Sequence, residues 1–165
     1  IIRRPAALDS ADLQSPPMPD TFQPADPHFE QRLHDTLAGQ PMMQLLGVEL
    51  IDVKPGDITV RLTHQDTLRQ HHGYLHGGVT AMLADEACGF AALSLVADHR
   101  SVVTSDLSVS FLRPGVGAYY EARAAVVRPG KNLTSCRCEV HAYEQDGSRK
   151  LIAITQAFLM TLDKR

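Results

Sequence analysis

Hydrophobic side chains recur along this chain first at helical spacing, then in alternation, then as one unbroken run, then in alternation again. After Asp26-Pro27, which reads as an N-cap and first helical position, Phe29, Leu33 and Leu37 follow at four-residue spacing up to a stop at Gly39. A second short helical piece is expected over 41–46. "GVELIDV" and "DITVRLTH" flank Pro55-Gly56, the pattern of two strands joined by a tight turn. A glycine- and histidine-rich loop over 70–78 leads into a run of small and apolar residues from Val79 to about Val96. That run is too long for a buried strand and predicts a helix. Beyond Arg100, "SVVTSDLSVSFLRP", "AYYEARAAVVRP", "LTSCRCEVHAYE" and "LIAITQAFLM" read as strands, separated by Pro114-Gly115, Pro129-Gly130 and "QDGSRK". In the third of these, Ser135, Arg137, Glu139 and His141 alternate with Cys136, Cys138 and Val140, the period of a half-solvated sheet. The pattern predicts an α+β domain over 27–165, an antiparallel sheet wrapped around a long central helix. Residues 1–26, with Pro5, Pro16, Pro17, Pro19 and Pro24, are expected to form an extended or disordered arm.

Composition narrows the function classes. The 165 residues suffice for one domain with a real core. A formal charge of −3 argues against nucleic acid or a membrane surface as partner, and no apolar run approaches the roughly 20 residues that span a bilayer. The first residues lack the apolar segment of a secretory signal. Cys88, Cys136 and Cys138 are read as reduced core thiols, which suits a cytoplasmic protein.

Within "LHGGVTAMLADEACGFAAL", residues 75–93, Asp85 and Glu86 interrupt an otherwise small and apolar segment. A carboxylate in such a run is costly unless something uses it. At about 100° per residue, the neighbours within about 60° of Asp85 are Gly78, Ala81, Met82, Cys88, Gly89, Ala92 and Val96. This largely small stripe admits another backbone at close range, while Leu83, Ala87 and Phe90 face the other way, toward the sheet. Glu86 lies about a quarter-turn from Asp85 and is expected to be the more easily solvated. At the start of the run, Gly77 and Gly78 leave amides unhindered where the helix dipole favours negative charge, a position suited to an oxygen gaining charge during acyl transfer. Eight residues separate Gly77 from Asp85, roughly 12 Å along one helix at about 1.5 Å each. A base and an oxyanion donor must converge to about 3 Å of one reacting centre. One helix does not achieve that; two copies packed antiparallel along the stripe do, which predicts a two-fold dimer with composite sites. His71, His72 and His76 invite a metal reading, but Gly73 interrupts the helical spacing and no acid or cysteine lies nearby in sequence, so no metal is assigned.

"HGGVTAMLADEACGFAA", followed by "SDLSVSFLRPG" and "RPGKNLTSCRCEV", resembles the hotdog-fold acyl-CoA thioesterases, particularly the phenylacetate-degradation type, over roughly residues 40–162. The resemblance implies a sheet around a long helix, dimers joined edge to edge, and dimers paired into tetramers. It implies that Asp85 is the catalytic acid, that the Gly77 amide of the other subunit polarises the thioester carbonyl, and that Gln70 helps orient it. His76 then holds the loop and helix start, and Thr104 helps hold the attacking water. Coenzyme A, part of the substrate and not a separate cofactor, would meet Arg113 and the turn Gly130-Lys131-Asn132. The implied reaction is hydrolysis of an acyl-CoA to a carboxylic acid and free coenzyme A, with Asp85 as general base or as nucleophile. Two alternatives stay open: a hotdog hydratase or dehydratase using Asp66 and His71, whose spacing fits although the Asn-Pro of that motif is absent, and a non-catalytic acyl-CoA-binding module.

Overall fold

The structure, a computed structural model, describes residues 22–164. Its elements are α1 (Phe29–Ala38), α2 (Pro41–Leu46), β1 (Val48–Lys54), β2 (Asp57–Thr63), α3 (Gly77–Leu93), β3 (Arg100–Phe111), β4 (Tyr119–Arg128), β5 (Leu133–Tyr143) and β6 (Arg149–Asp163). The strands form one antiparallel sheet of six in the order β1-β2-β4-β5-β6-β3. The sheet wraps around α3, the hotdog architecture expected from the sequence.

Side-chain size explains how a helix fits inside the curve. The inner face of the sheet carries Ala122, Ala124, Cys136, Cys138, Ala153 and Ala157, all buried. Register places several of them side by side, with Ala124 opposite Cys138 and Cys136 opposite Ala157. Against this shallow surface α3 buries Leu83, Ala87 and Phe90. The cysteines are thus free thiols serving as small core residues; burial pushes the Cys136 thiol up from its ordinary value, and a hydrogen bond with Cys88, together with burial, does the same for Cys138.

Three expectations need correction. The long helix begins at Gly77, not Val79, and ends at Leu93, not near Val96. It starts early because the His76 imidazole caps it: Nδ1 accepts from the Gly78 amide at 2.9 Å. The first helix begins at Phe29, since Asp26 turns its carboxylate to the His28 amide (2.8 Å) and to Arg32 (3.6 Å), closing a turn ahead of the helix. Glu86 is half-buried, held by Gln40, and is not the solvated partner of Asp85.

Most of the arm, residues 1–21, lies outside the described residues. Its last part lies on the domain: Phe22 covers Gly56, whose φ of 75° serves the β1–β2 turn, and the Ala25 amide donates to the Leu95 carbonyl.

Candidate active site

α3 runs antiparallel to β3, so its two ends meet different parts of that strand. Gly77 lies against Phe111, whose ring would stand 3.3 Å from a Cβ placed there. Farther along, the Thr104 hydroxyl donates to Asp85 Oδ1 at 2.7 Å. Thr104 is aimed at the helix by an irregularity in the β3–β6 ladder between Thr104 and Asp106. On one side of it Thr104 stands opposite buried Leu159; on the other, Asp106 stands opposite Phe158 on the outer face.

The amide end is built by the loop 70–76. Gln70 and Tyr74 close a small turn through Gln70 N–H to the Tyr74 carbonyl (2.8 Å), and the Gln70 side-chain oxygen accepts from the His72 amide. The Leu75 amide donates to the Gly115 carbonyl (2.9 Å), fixing the loop to the segment after β3. At the helix start the Gly78 amide is taken by the His76 ring, and those of Val79 and Thr80 by the His76 carbonyl. Among the described residues the Gly77 amide has no acceptor. It is an orphan donor at the positive end of a 17-residue helix. A cavity of about 380 Å³ opens there, lined by Gln70, Gly77, Thr80, Phe111, Arg113 and Ile152.

The acid end has its own cavity, of about 190 Å³, lined among others by Gln40, Asp85, Glu86, Phe90, Val102 and Thr104. Gln40 Nε2 donates to Glu86 Oε1, and burial, with Asp85 adjoining, pushes the Glu86 carboxyl above its ordinary value. The predicted residues therefore fall into two groups. Gln70, His76, Gly77 and Arg113 gather at one end; Asp85 and Thr104 gather at the other.

The turn Gly130-Lys131-Asn132 belongs with the acid end, because the Asn132 carbonyl accepts from the Thr161 amide and Thr161 pairs with Val102 at the start of β3. Arg113, exposed and donating to the Leu151 carbonyl (3.0 Å), lies beyond the opposite end of β3. One chain does not bring these two anchors together. Sequence reasoning missed the Gln40–Glu86 pair and the wall supplied by Phe111. Their partners lie 46 and 34 positions away, and no local pattern joins them.

Residues 72–148 match the family model described as the Thioesterase superfamily. The crystal structure of a thioesterase family protein from Silicibacter pomeroyi is 36% identical, with a TM-score of 0.80 over 82% of this chain and 99% of that one. This chain belongs to the thioesterase superfamily. Among relatives of this thioesterase, a protein of Halobacterium salinarum named as an esterase is 36% identical over 56% of the chain, which spans 64% of that protein's length. The 1,4-dihydroxy-2-naphthoyl-CoA hydrolase of Listeria monocytogenes is 24% identical over 75% of this chain and 98% of its own. Thioester hydrolysis is the chemistry to which the site's geometry has to answer.

Proposed function

We propose that this thioesterase hydrolyses acyl-CoA, with each active site shared by two protomers: Asp85 from one, the Gly77 amide from its partner. The observation that carries the reading is the pairing of an orphan amide at Gly77 with a partly exposed, Thr104-bonded carboxylate roughly 12 Å farther along the same helix. Two helices packed antiparallel along Gly78, Ala81, Asp85 and Gly89 bring each carboxylate opposite the other chain's amide. Gly89 has open space where a side chain would stand, which leaves room for that approach. The edge strand β3 favours the same assembly. It has 12 residues and is charged only at Arg100 and Asp106, whereas the opposite edge, β1, carries Glu49, Asp52 and Lys54. A long, weakly charged edge invites a second strand. The same two-fold arrangement puts one chain's Lys131 turn on the side of its partner's Arg113, so that both reach one coenzyme A. The name of the Listeria relative supports a CoA thioester as substrate. We place the enzyme in the cytoplasm, in keeping with three free buried thiols. Pairing of such dimers into a tetramer belongs to the same proposal.

In the reaction, the thioester carbonyl oxygen accepts from the Gly77 amide and is oriented by Gln70. Asp85, fixed by Thr104, removes a proton from water as the water oxygen bonds to the carbonyl carbon. The tetrahedral adduct expels the thiolate of coenzyme A as the C–S bond breaks, and the proton passes to sulfur. The hydratase alternative is not favoured: Asp66 is engaged by Arg69 (3.1 Å) and His64 (3.6 Å), while the His71 ring lies tilted against His72 with centroids 3.9 Å apart.

Thiol release from an acyl-CoA panel tests the reading. Asp85→Asn is expected to lower kcat by about 10²–10⁴-fold while acyl-CoA still binds. Turnover by that variant at the wild-type rate overturns the assignment.

A further inference from the structure

Beside Asp85 stands a second carboxylate that the hydrolysis above does not use. Glu86 lines the same cavity of about 190 Å³, whose apolar wall is Phe90, Leu93 and Val102 and whose lining contains no cation. Gln40 fixes Glu86 through Oε1; among the described residues no donor reaches Oε2. The Glu86 side chain is half-buried, with its pKa raised by burial, while Oε2 still reaches solvent, so a group that enters the cavity displaces the water there. Something that enters with an O–H or N–H offsets that loss through a charge-assisted hydrogen bond. A plain hydrocarbon only dehydrates the oxygen, and an acidic group meets two carboxylates. Size bears on the occupant as well: an apolar cavity of about 150 Å³ takes up benzene. At about 190 Å³ within one chain, this one has room for a compact group with one polar substituent.

We propose that the cavity between α1, α3 and β3 receives the acyl group, and that Glu86, held by Gln40, selects compact acyl groups bearing a hydrogen-bond donor away from the thioester. This inference rests on the acyl-CoA reading, with Asp85 at the mouth of the same cavity. Glu86 acts on specificity, and Gln40 acts through it as a positioning residue.

The test compares kcat/KM for acyl-CoA pairs matched in size that differ by hydroxyl against methyl: a hydroxyaryl with a methylaryl acyl group, and an ω-hydroxyalkanoyl with an alkanoyl group. Wild-type enzyme is expected to favour the hydroxyl member of at least one pair by about tenfold or more, the value of one hydrogen bond to a charged group. Glu86→Met brings that ratio to within about twofold, Glu86→Gln keeps part of it, and Gln40→Leu lowers it from a different element. A ratio measured on one preparation is independent of the fraction folded, so a poorly folding variant does not obscure the result. Wild-type enzyme that hydrolyses both members of every pair equally, or Glu86→Met that keeps the wild-type ratio, overturns the selector. Those outcomes leave the hydrolase reading intact if Asp85→Asn is inactive. Absence of thiol release from any acyl-CoA overturns both.

Discussion

His76 shows how one side chain decides where an element begins. Glycine pairs start helices poorly, yet α3 starts at Gly77 because the neighbouring imidazole supplies an acceptor for the Gly78 amide. Removing that cap is expected to cost about 1 kcal/mol in urea unfolding for His76→Ala, with Asn at the same position recovering most of it. Glu86 carries a second consequence. Its folded pKa lies above the ordinary value of 4.5, mainly through desolvation, with the Gln40 hydrogen bond opposing and Asp85 adding to the rise. The folded state therefore holds this proton more tightly than the unfolded chain. Its contribution to stability is present below pH 4.5 and is lost as pH rises from there through the raised value. Glu86→Gln, with nothing to ionise, is expected to melt progressively higher relative to wild type from pH 4.5 toward neutrality, and calorimetry across that range checks it. A difference independent of pH would contradict the assigned cause.

At the scale of elements, α3 has two unlike sides. Leu83, Ala87 and Phe90 settle onto a sheet face of alanine and cysteine, while Gly78, Ala81, Asp85 and Gly89 remain partly or fully exposed. Continuous hydrophobicity hid this division from a periodicity argument, because glycine and alanine contribute weakly to any moment; the position of Asp85 revealed it. Gly89→Leu fills open space in the single chain, so folding should survive. In the proposed antiparallel pair the same side chain obstructs the partner helix. The expected outcome is a far-ultraviolet spectrum like wild type, a solution mass shifted toward the monomer in light scattering, and kcat/KM reduced at least about 100-fold. A fully active dimer would rule out this packing.

For the whole molecule, the decisive question is whether the acid and the amide act from different chains. Asp85→Asn and Gly77→Val subunits, each inactive alone, are expected to regain about a quarter of wild-type activity when unfolded together and refolded at equal concentration. Half the dimers are then mixed, and each mixed dimer contains one site with both native groups. No recovery on mixing, with heterodimers present, would place both groups of a site in one subunit.

The sequence by itself determined the element order, all six strands and the identity of the long helix, because turn residues and apolar periodicity are local signals that survive without contacts. It also marked both ends of the proposed site, since a carboxylate and a glycine pair are conspicuous in an apolar run whatever surrounds them. Tertiary structure alone decided which groups share a space. The β3 irregularity turns Thr104 toward Asp85, Phe111 seats against Gly77, and Gln40 reaches Glu86 across 46 positions. These contacts depend on strand register and on how deeply α3 sinks into a small-residue sheet, and both are collective outcomes of packing that no stretch of the chain encodes alone.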